Sequence, residues 1–315
     1  MFKRLKNSTF FQRTQRGLYG TELTDLFPLM KPLPLPDGVT ESQLFDFVTS
    51  VRVADAPEAE MKAYGEHDFR RFVYTWDLTR GATGKCLELG GNPYFTTMLL
   101  NEFSPLDVRL ANYFGLEENG EHTQWVNYAS LDGKGASKEL PFQHFNIEED
   151  AFPYSDDEFD VVVFAEIMEH LLNDPCAVLG EIKRVLKPGG TIVLTTPNVA
   201  RLENIAKLLC GENIYDPYSG YGPYGRHNRE YNQHELYQLL SHMGFEVQDM
   251  FSSDVHHNAT EHFFSADAIK ELLAKIKNRE HGLGQYIFVR ARNVGAANKL
   301  KPNWLYRSYP ESELS

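Results

Sequence analysis

From about residue 85 onward, short apolar runs alternate with stretches whose apolar residues recur every three or four positions. KCLEL gives way to PYFTTMLLNEF, then DVRLANYF, FDVVVFA, PCAVLGEIKRVLK and TIVLTTP. Strand and helix patterns in alternation predict right-handed crossovers and a mostly parallel, doubly wound α/β sheet. Ahead of this region, Phe69, Phe72, Val73 and Trp76 fall at helical spacing within Tyr64 to Leu78, leaving Arg70, Arg71 and Asp77 for the other face. The stretch from Leu116 to Leu140 interrupts the rhythm with polar residues and a DGKG turn signal, Asp132 to Gly135, and reads as an inserted hairpin. Past the fifth strand come a helical stretch, Ala200 to Leu209, and a loop rich in Tyr, Gly and Pro, Gly211 to Arg229. Asn232 with Glu235 three residues on predicts a capped helix start, and FEVQDMF and QYIFVRA are the closing strands. Three parts follow: an N-terminal extension, 1–62, with a KPLPLPDG turn segment; a domain, 63–293; and a tail, 294–315.

Composition narrows the classes of function. The chain has 315 residues, 42% of them hydrophobic, enough for a full core. Asp and Glu outnumber Lys and Arg by 44 to 31, and no basic cluster stands out, so a nucleic-acid partner is not expected. The longest apolar run, Val161 to Ala165, is far short of the ~20 residues of a membrane span, and MFKRLKNSTFFQ lacks a signal peptide's apolar block. Three cysteines without a C-x-x-C pair suggest neither a disulfide framework nor zinc. The expectation is a cytoplasmic protein.

The chemistry begins at KCLELGGNPYFTT, which runs from a strand through a glycine turn into a helix, where an open α/β sheet binds its ligand. A dinucleotide fingerprint would need glycine at 90, 92 and 95, and the chain has Gly90, Asn92 and Phe95. Pro93 also lacks the N–H that a pyrophosphate would seek at the helix start. A cofactor without phosphate suffers neither defect. On this reading Asn92 caps the helix and Pro93 occupies its first turn.

Downstream, FNIEEDAFPYSDDEFDVVVFAEIMEHLLNDP is followed by EIKRVLKPGG and TIVLTTPN. With LELGGNPYFTT, this ordered run resembles the class I S-adenosylmethionine (SAM)-dependent methyltransferases over roughly Tyr64 to Ala291. It is most similar to their small-molecule and polysaccharide-cluster branch, of methyltransferase type 11-like kind. The resemblance implies a Rossmann-like, seven-stranded sheet and SAM as cofactor. SAM needs backbone close to its methionine part and a carboxylate near its positive charges, which Gly90, Gly91 and Glu88 can provide in a turn that also holds Asn92 as a cofactor-site residue. The resemblance implies that Asn112, where the family usually has an acidic residue, serves the ribose. Asn146 and Ile147 would border the adenine, with Asn146 equally readable as a turn residue, and Glu166 would be a further cofactor contact. KPGG, Lys187 to Gly190, is assigned a chain reversal and no chemistry.

The acceptor site is placed in PYSGYGPYGRHNREY, Pro217 to Tyr231, whose tyrosines offer faces and hydroxyls suited to sugar rings. His227 is its candidate general base and His170 the competitor, while Tyr231 is read as packing. The acceptor expected is a sugar, a glycan or a related small molecule that is methylated on oxygen. The alternatives are a SAM-binding protein without catalysis and an N- or C-methyltransferase. A second cluster, Asp254, His256, His257, Glu261 and His262, has metal-competent side chains, but its spacing matches no zinc motif and it is read as a polar loop, so no metal is assigned.

Overall fold

Side chains alternate between two cores along the central strands. Cys86, Val161, Val163, Val193 and Phe288 enter one apolar cluster, while Leu87, Val162, Phe164, Ile192, Leu194, Ile287 and Val289 enter another. A strand's period of two sends successive residues to opposite faces, so a sheet covered on both faces needs an unbroken run such as Val161 to Phe164. The computed structural model describes residues 30–54, 56–115, 118–215, 225–258, 260, 268–269, 271, 282–306 and 309–315.

In chain order the elements are α1 (Glu41–Thr49), β1 (Arg52–Val53), α2 (Glu58–His67), α3 (Phe69–Asp77), β2 (Gly84–Leu89), α4 (Phe95–Phe103), β3 (Leu106–Asn112), β4 (Gly120–Ala129) and β5 (Gly135–His144). There follow β6 (Phe159–Ala165), a 3-10 turn (Met168–His170), α5 (Pro175–Val185), β7 (Leu186–Pro197), α6 (Leu202–Leu209), α7 (Gln233–His242), β8 (Phe245–Ser253) and β9 (Tyr286–Asn293). The strands form one sheet in the order β1-β4-β5-β3-β2-β6-β7-β9-β8. The centre, β5-β3-β2-β6-β7, is parallel, and both flanks are antiparallel. The α/β class is as read from the sequence, but the sheet has nine strands and is mixed. The two extra strands are β1 and β4. The segment read as an inserted hairpin pairs β4 with β5 along its whole length, and β5 is itself the next central strand, so the insertion widens the sheet.

Local chemistry fixes the ends of several helices. Thr40 and Gln43 form a capping box at α1, Asp174 caps α5 through the Cys176 and Ala177 N–H groups, and Asn232 with Glu235 caps α7 as its sequence predicts. The helix expected over Tyr64 to Leu78 is two helices, α2 and α3, meeting at Asp68. KPGG also differs from its expected turn. It lies at the start of β7, in a bulge where the register shifts between Phe159 and Val161, and a Cβ on Gly190 would come within 2.9 Å of the Lys187 carbonyl. Residues 41–53 contribute Leu44, Phe47, Val48, Val51 and Val53 to the first cluster, and Trp304 and Leu305 of the tail pack on the second. No helix among the described residues is long and apolar enough to cross a membrane.

Candidate functional site

The strand order changes direction at β2 and β6, since the chain moves outward from β2 to β3 and β5 before returning to β6 on the other side. A crevice opens at such a switch point, outside the carboxyl ends of the strands. Here it is a cavity of about 330 Å³. Gly90 and Asn92 reach it from the end of β2, Asn112 and Tyr113 from β3, Phe145 to Glu148 from β5, and Glu166, Ile167, His170 and Leu171 from β6. Chain segments far apart in sequence thus meet around one space.

Gly90 has φ 64°, and a Cβ there would stand 2.7 Å from Cδ1 of Ile167, so only glycine fits this turn without displacement. Glu88 and Gly91 are not in the cavity wall. Glu88 is buried behind the turn, accepting a 2.6 Å hydrogen bond from the Thr97 hydroxyl, and burial pushes its carboxyl up to about 8 against the opposing pull of that bond.

Asn92 does not cap the following helix. Tyr94 takes a left-handed φ of 72°, which a helix cannot continue, and α4 starts at Phe95. Asn92 is instead held sideways: its N–H donates to Oδ1 of Asn112 at 3.0 Å and its amide to Oε1 of Gln124 at 3.1 Å. Asn112 also donates to the Tyr94 hydroxyl at 3.0 Å, and that hydroxyl donates to Gln124. An asparagine at this position therefore has a structural cause. It must accept from one neighbour and donate to another, and a carboxylate is acceptor only. Asn146 lines the cavity and also works as a turn residue, its side chain accepting from the Glu148 N–H at 3.0 Å. Ile147 lies beside it in the wall.

Glu166, with φ 54°, sits just past β6 and accepts from the Thr195 hydroxyl at 2.7 Å. Burial raises its carboxyl, while the guanidinium of Arg71, 3.8 Å away, pulls in the other direction. Arg71, which helical spacing assigns to the outer face of its helix, is turned inward. It is buried, paired with Asp68 at 2.8 Å, because α3 is covered on nearly every side and a charge there persists only with carboxylates around it. Nothing in helical spacing alone marks it.

His170 occupies the 3-10 turn after β6, and its ring meets that of His227 edge to face with centroids 4.9 Å apart. The segment around His227 is strapped to that turn: the Asn228 N–H donates to the Glu169 carbonyl at 2.7 Å and the Asn228 side chain to the His170 carbonyl at 2.9 Å. His227 Nδ1 lies 2.8 Å from Glu230, which also receives both guanidinium nitrogens of Arg201. Burial works against the Glu230 carboxylate, but the bonds from His227 and Arg201 overcome it and hold the group down at about 2. A second cavity, of about 270 Å³, is lined by Arg201, Lys207, Tyr215, His227 and Glu230. His170 thus borders the first cavity, and His227 the second.

Of the expected acceptor loop, residues 217–224 lie outside the described residues. Tyr231 is buried in the second core and Arg229 pairs with Glu235 at 3.0 Å. In the other polar cluster Asp254 accepts from Asn258 and from the Gln285 N–H, while His256 stacks on His67; Glu261 and His262 lie outside the described residues.

A family model described as a methyltransferase domain matches residues 63–249, more than half of the chain. The chain belongs to this methyltransferase family. A Mycolicibacterium smegmatis protein described as a probable S-adenosylmethionine-dependent methyltransferase is 34% identical over 110 residues, 35% of this chain. The match spans 37% of that curated relative's length. Among solved structures, a chain of the Haloferax volcanii complex between the Trm112 methyltransferase activator and a methyltransferase is 16% identical. It aligns over 77% of this chain and 96% of its own length with a TM-score of 0.45. An Archaeoglobus fulgidus SAM-dependent methyltransferase is 15% identical over 74% and 91%, with a TM-score of 0.39. SAM is the cofactor of this class of methyltransferase, and the first cavity suits it on its own geometry: a glycine turn that a Cβ would block, amide side chains at Asn112 and Asn146, and a carboxylate at Glu166.

Proposed function

We propose that this methyltransferase transfers the methyl group of SAM to a hydroxyl of a sugar, a glycan or a related small molecule. The observation that carries this reading is the His170–His227 pair, which borders the switch-point cavity on one side and a polar cavity on the other. In this reading Gly90 and Asn92 bear on the methionine part, Asn112 on the ribose, Asn146 and Ile147 on the adenine, and Glu166 on the end where the sulfonium lies. Arg201, Lys207 and Tyr215 give the second cavity a hydroxyl-rich ligand's partners.

SAM supplies an electrophilic methyl on a sulfonium, so that the acceptor oxygen bonds to carbon as the S–C bond breaks and S-adenosylhomocysteine leaves. The protein's part is alignment, exclusion of water and uptake of the hydroxyl proton. Because Glu230 accepts from Nδ1 of His227, the lone pair is on Nε2, which takes the proton. Arg201 keeps Glu230 ionised for that task.

Calorimetric titration with SAM is expected to show one site, and Gly90→Val should weaken binding at least tenfold, about 1.4 kcal/mol. Unchanged affinity in a variant that melts as the wild type would remove SAM from this cavity. With a glycan acceptor, His227→Ala should lower turnover by ~10² to 10⁴ and leave SAM affinity nearly intact. Wild-type turnover across the pH range would exclude His227 as the base.

A further inference from the structure

Glu169, His170 and His227 each offer one donor atom, and these three atoms all lie within 4.8 Å of one another. We propose that these three residues form a binding site for a divalent transition-metal ion of the zinc class, between the two cavities.

The two imidazoles are already in the tautomer a metal requires, while burial pushes the Glu169 carboxyl well up, so that it gives up its proton when the ion binds. Nδ1 of His170 lies 2.9 Å from the Arg226 carbonyl and Nδ1 of His227 lies 2.8 Å from the Glu230 carboxylate. Both partners accept only, so both rings carry their proton on Nδ1 and present the lone pair of Nε2. An imidazole held from behind by a carboxylate or a carbonyl is the usual support of a metal-binding histidine. Glu169 is buried, its Oε2 takes the Thr196 hydroxyl at 3.0 Å, and its Oε1 lies 3.8 Å from Nε2 of His170.

A metal about 2.1 Å from each donor asks for donor separations of roughly 3.0–3.5 Å, so the cluster would close by about 1 Å on binding. The straps from Asn228 to the carbonyls of Glu169 and His170 keep the two segments together for that closure. Two imidazoles with one carboxylate favour zinc-like ions over magnesium, which prefers oxygen alone. Three protein ligands leave a position open toward the cavities, where an acceptor hydroxyl can bind and lose its proton to solvent more readily. That use rests on the proposed function, and His227 then serves as ligand when the ion is bound and as base when it is not. The site itself stands on protein groups alone.

The test uses the full chain, stripped of metal by chelation and titrated with Zn²⁺ alone by calorimetry and with Co²⁺ by visible absorption. One equivalent of each is expected, with the Co²⁺ bands of a low-coordinate site. His227→Ala and Glu169→Gln should each weaken Zn²⁺ at least tenfold, and Glu230→Gln roughly tenfold to a hundredfold, because it frees the ring it orients. His67→Ala, at the other histidine pair, should change nothing. Since His227 is half-exposed, its variant tests the site even if Glu169→Gln fails to fold. Absence of stoichiometric binding overturns the proposal, as does binding that survives His227→Ala and is lost in His67→Ala. SAM titration of the same samples, with no acceptor present, separates failure of this site from failure of the methyltransfer reading.

Discussion

At the scale of single residues, Asn112 shows how one position serves two demands. It faces the cavity, and it also joins Asn92 to Tyr94 and, through Tyr94, to Gln124. Asn112→Leu leaves the Asn92 N–H without its acceptor, so a stability loss of about 1–3 kcal/mol is expected together with weaker SAM binding. Asn112→Asp keeps that acceptor and adds a charge suited to ribose hydroxyls, so SAM affinity should hold or rise, while the Tyr94 hydroxyl must give up Gln124 or lose its tie to residue 112. Calorimetry beside thermal melting separates the two effects, and equal SAM affinity in the Leu variant and the wild type would show that position 112 does not touch the ribose.

At the scale of elements, the start of α5 joins the tail to the body of the fold. Asp174 caps that helix and also accepts from Lys301 and from the Tyr306 hydroxyl, in a tail segment whose Trp304 and Leu305 lie on the second core. Asp174→Ala removes the cap and both tail contacts, for an expected cost of about 1–2 kcal/mol in denaturant unfolding. Hydrogen exchange should then rise in 301–306 as well as in the first turn of α5. Faster exchange in the helix turn with an unchanged tail would mean that the apolar contacts of Trp304 and Leu305 hold the tail by themselves.

At the scale of the whole molecule, the buried carboxyl groups tie stability to pH. Glu88 is held up at about 8 from an ordinary 4.5, so between those values the unfolded chain releases a proton that the folded chain keeps. Its contribution is complete below about 4.5 and is lost as pH rises through about 8. Glu230 runs the other way: held down at about 2, it adds stability above its ordinary value and loses it in strong acid. Melting temperature should therefore fall between pH 5 and 8, and Glu88→Gln should flatten part of that fall. An equal slope in the variant would show that Glu88 is not the group responsible. The first dependence arises from burial and the second from His227 and Arg201 acting against burial, and no single stretch of sequence states either. What the sequence determined by itself was local and periodic: strands read from runs such as FDVVVFA, the Asn232–Glu235 cap, the hairpin turn near Asp132, and the glycine turn with Gly90 at a positive φ. Such features depend on neighbours within a few positions, whose side chains and backbone preferences are all present in the local sequence. Tertiary structure decided the rest. It set the width of the sheet, because β1 joins β4 and the hairpin joins β3 through β5 only in three dimensions. It placed Arg71 inside rather than outside, because Asp68 and Glu166 surround it there. It moved the cap away from Asn92, because Asn112 and Gln124 compete for that residue's groups. It also brought Glu169 and His170 to His227 across 57 positions of chain (227 − 170), since a donor set is a matter of distance and orientation that spacing along the sequence does not encode.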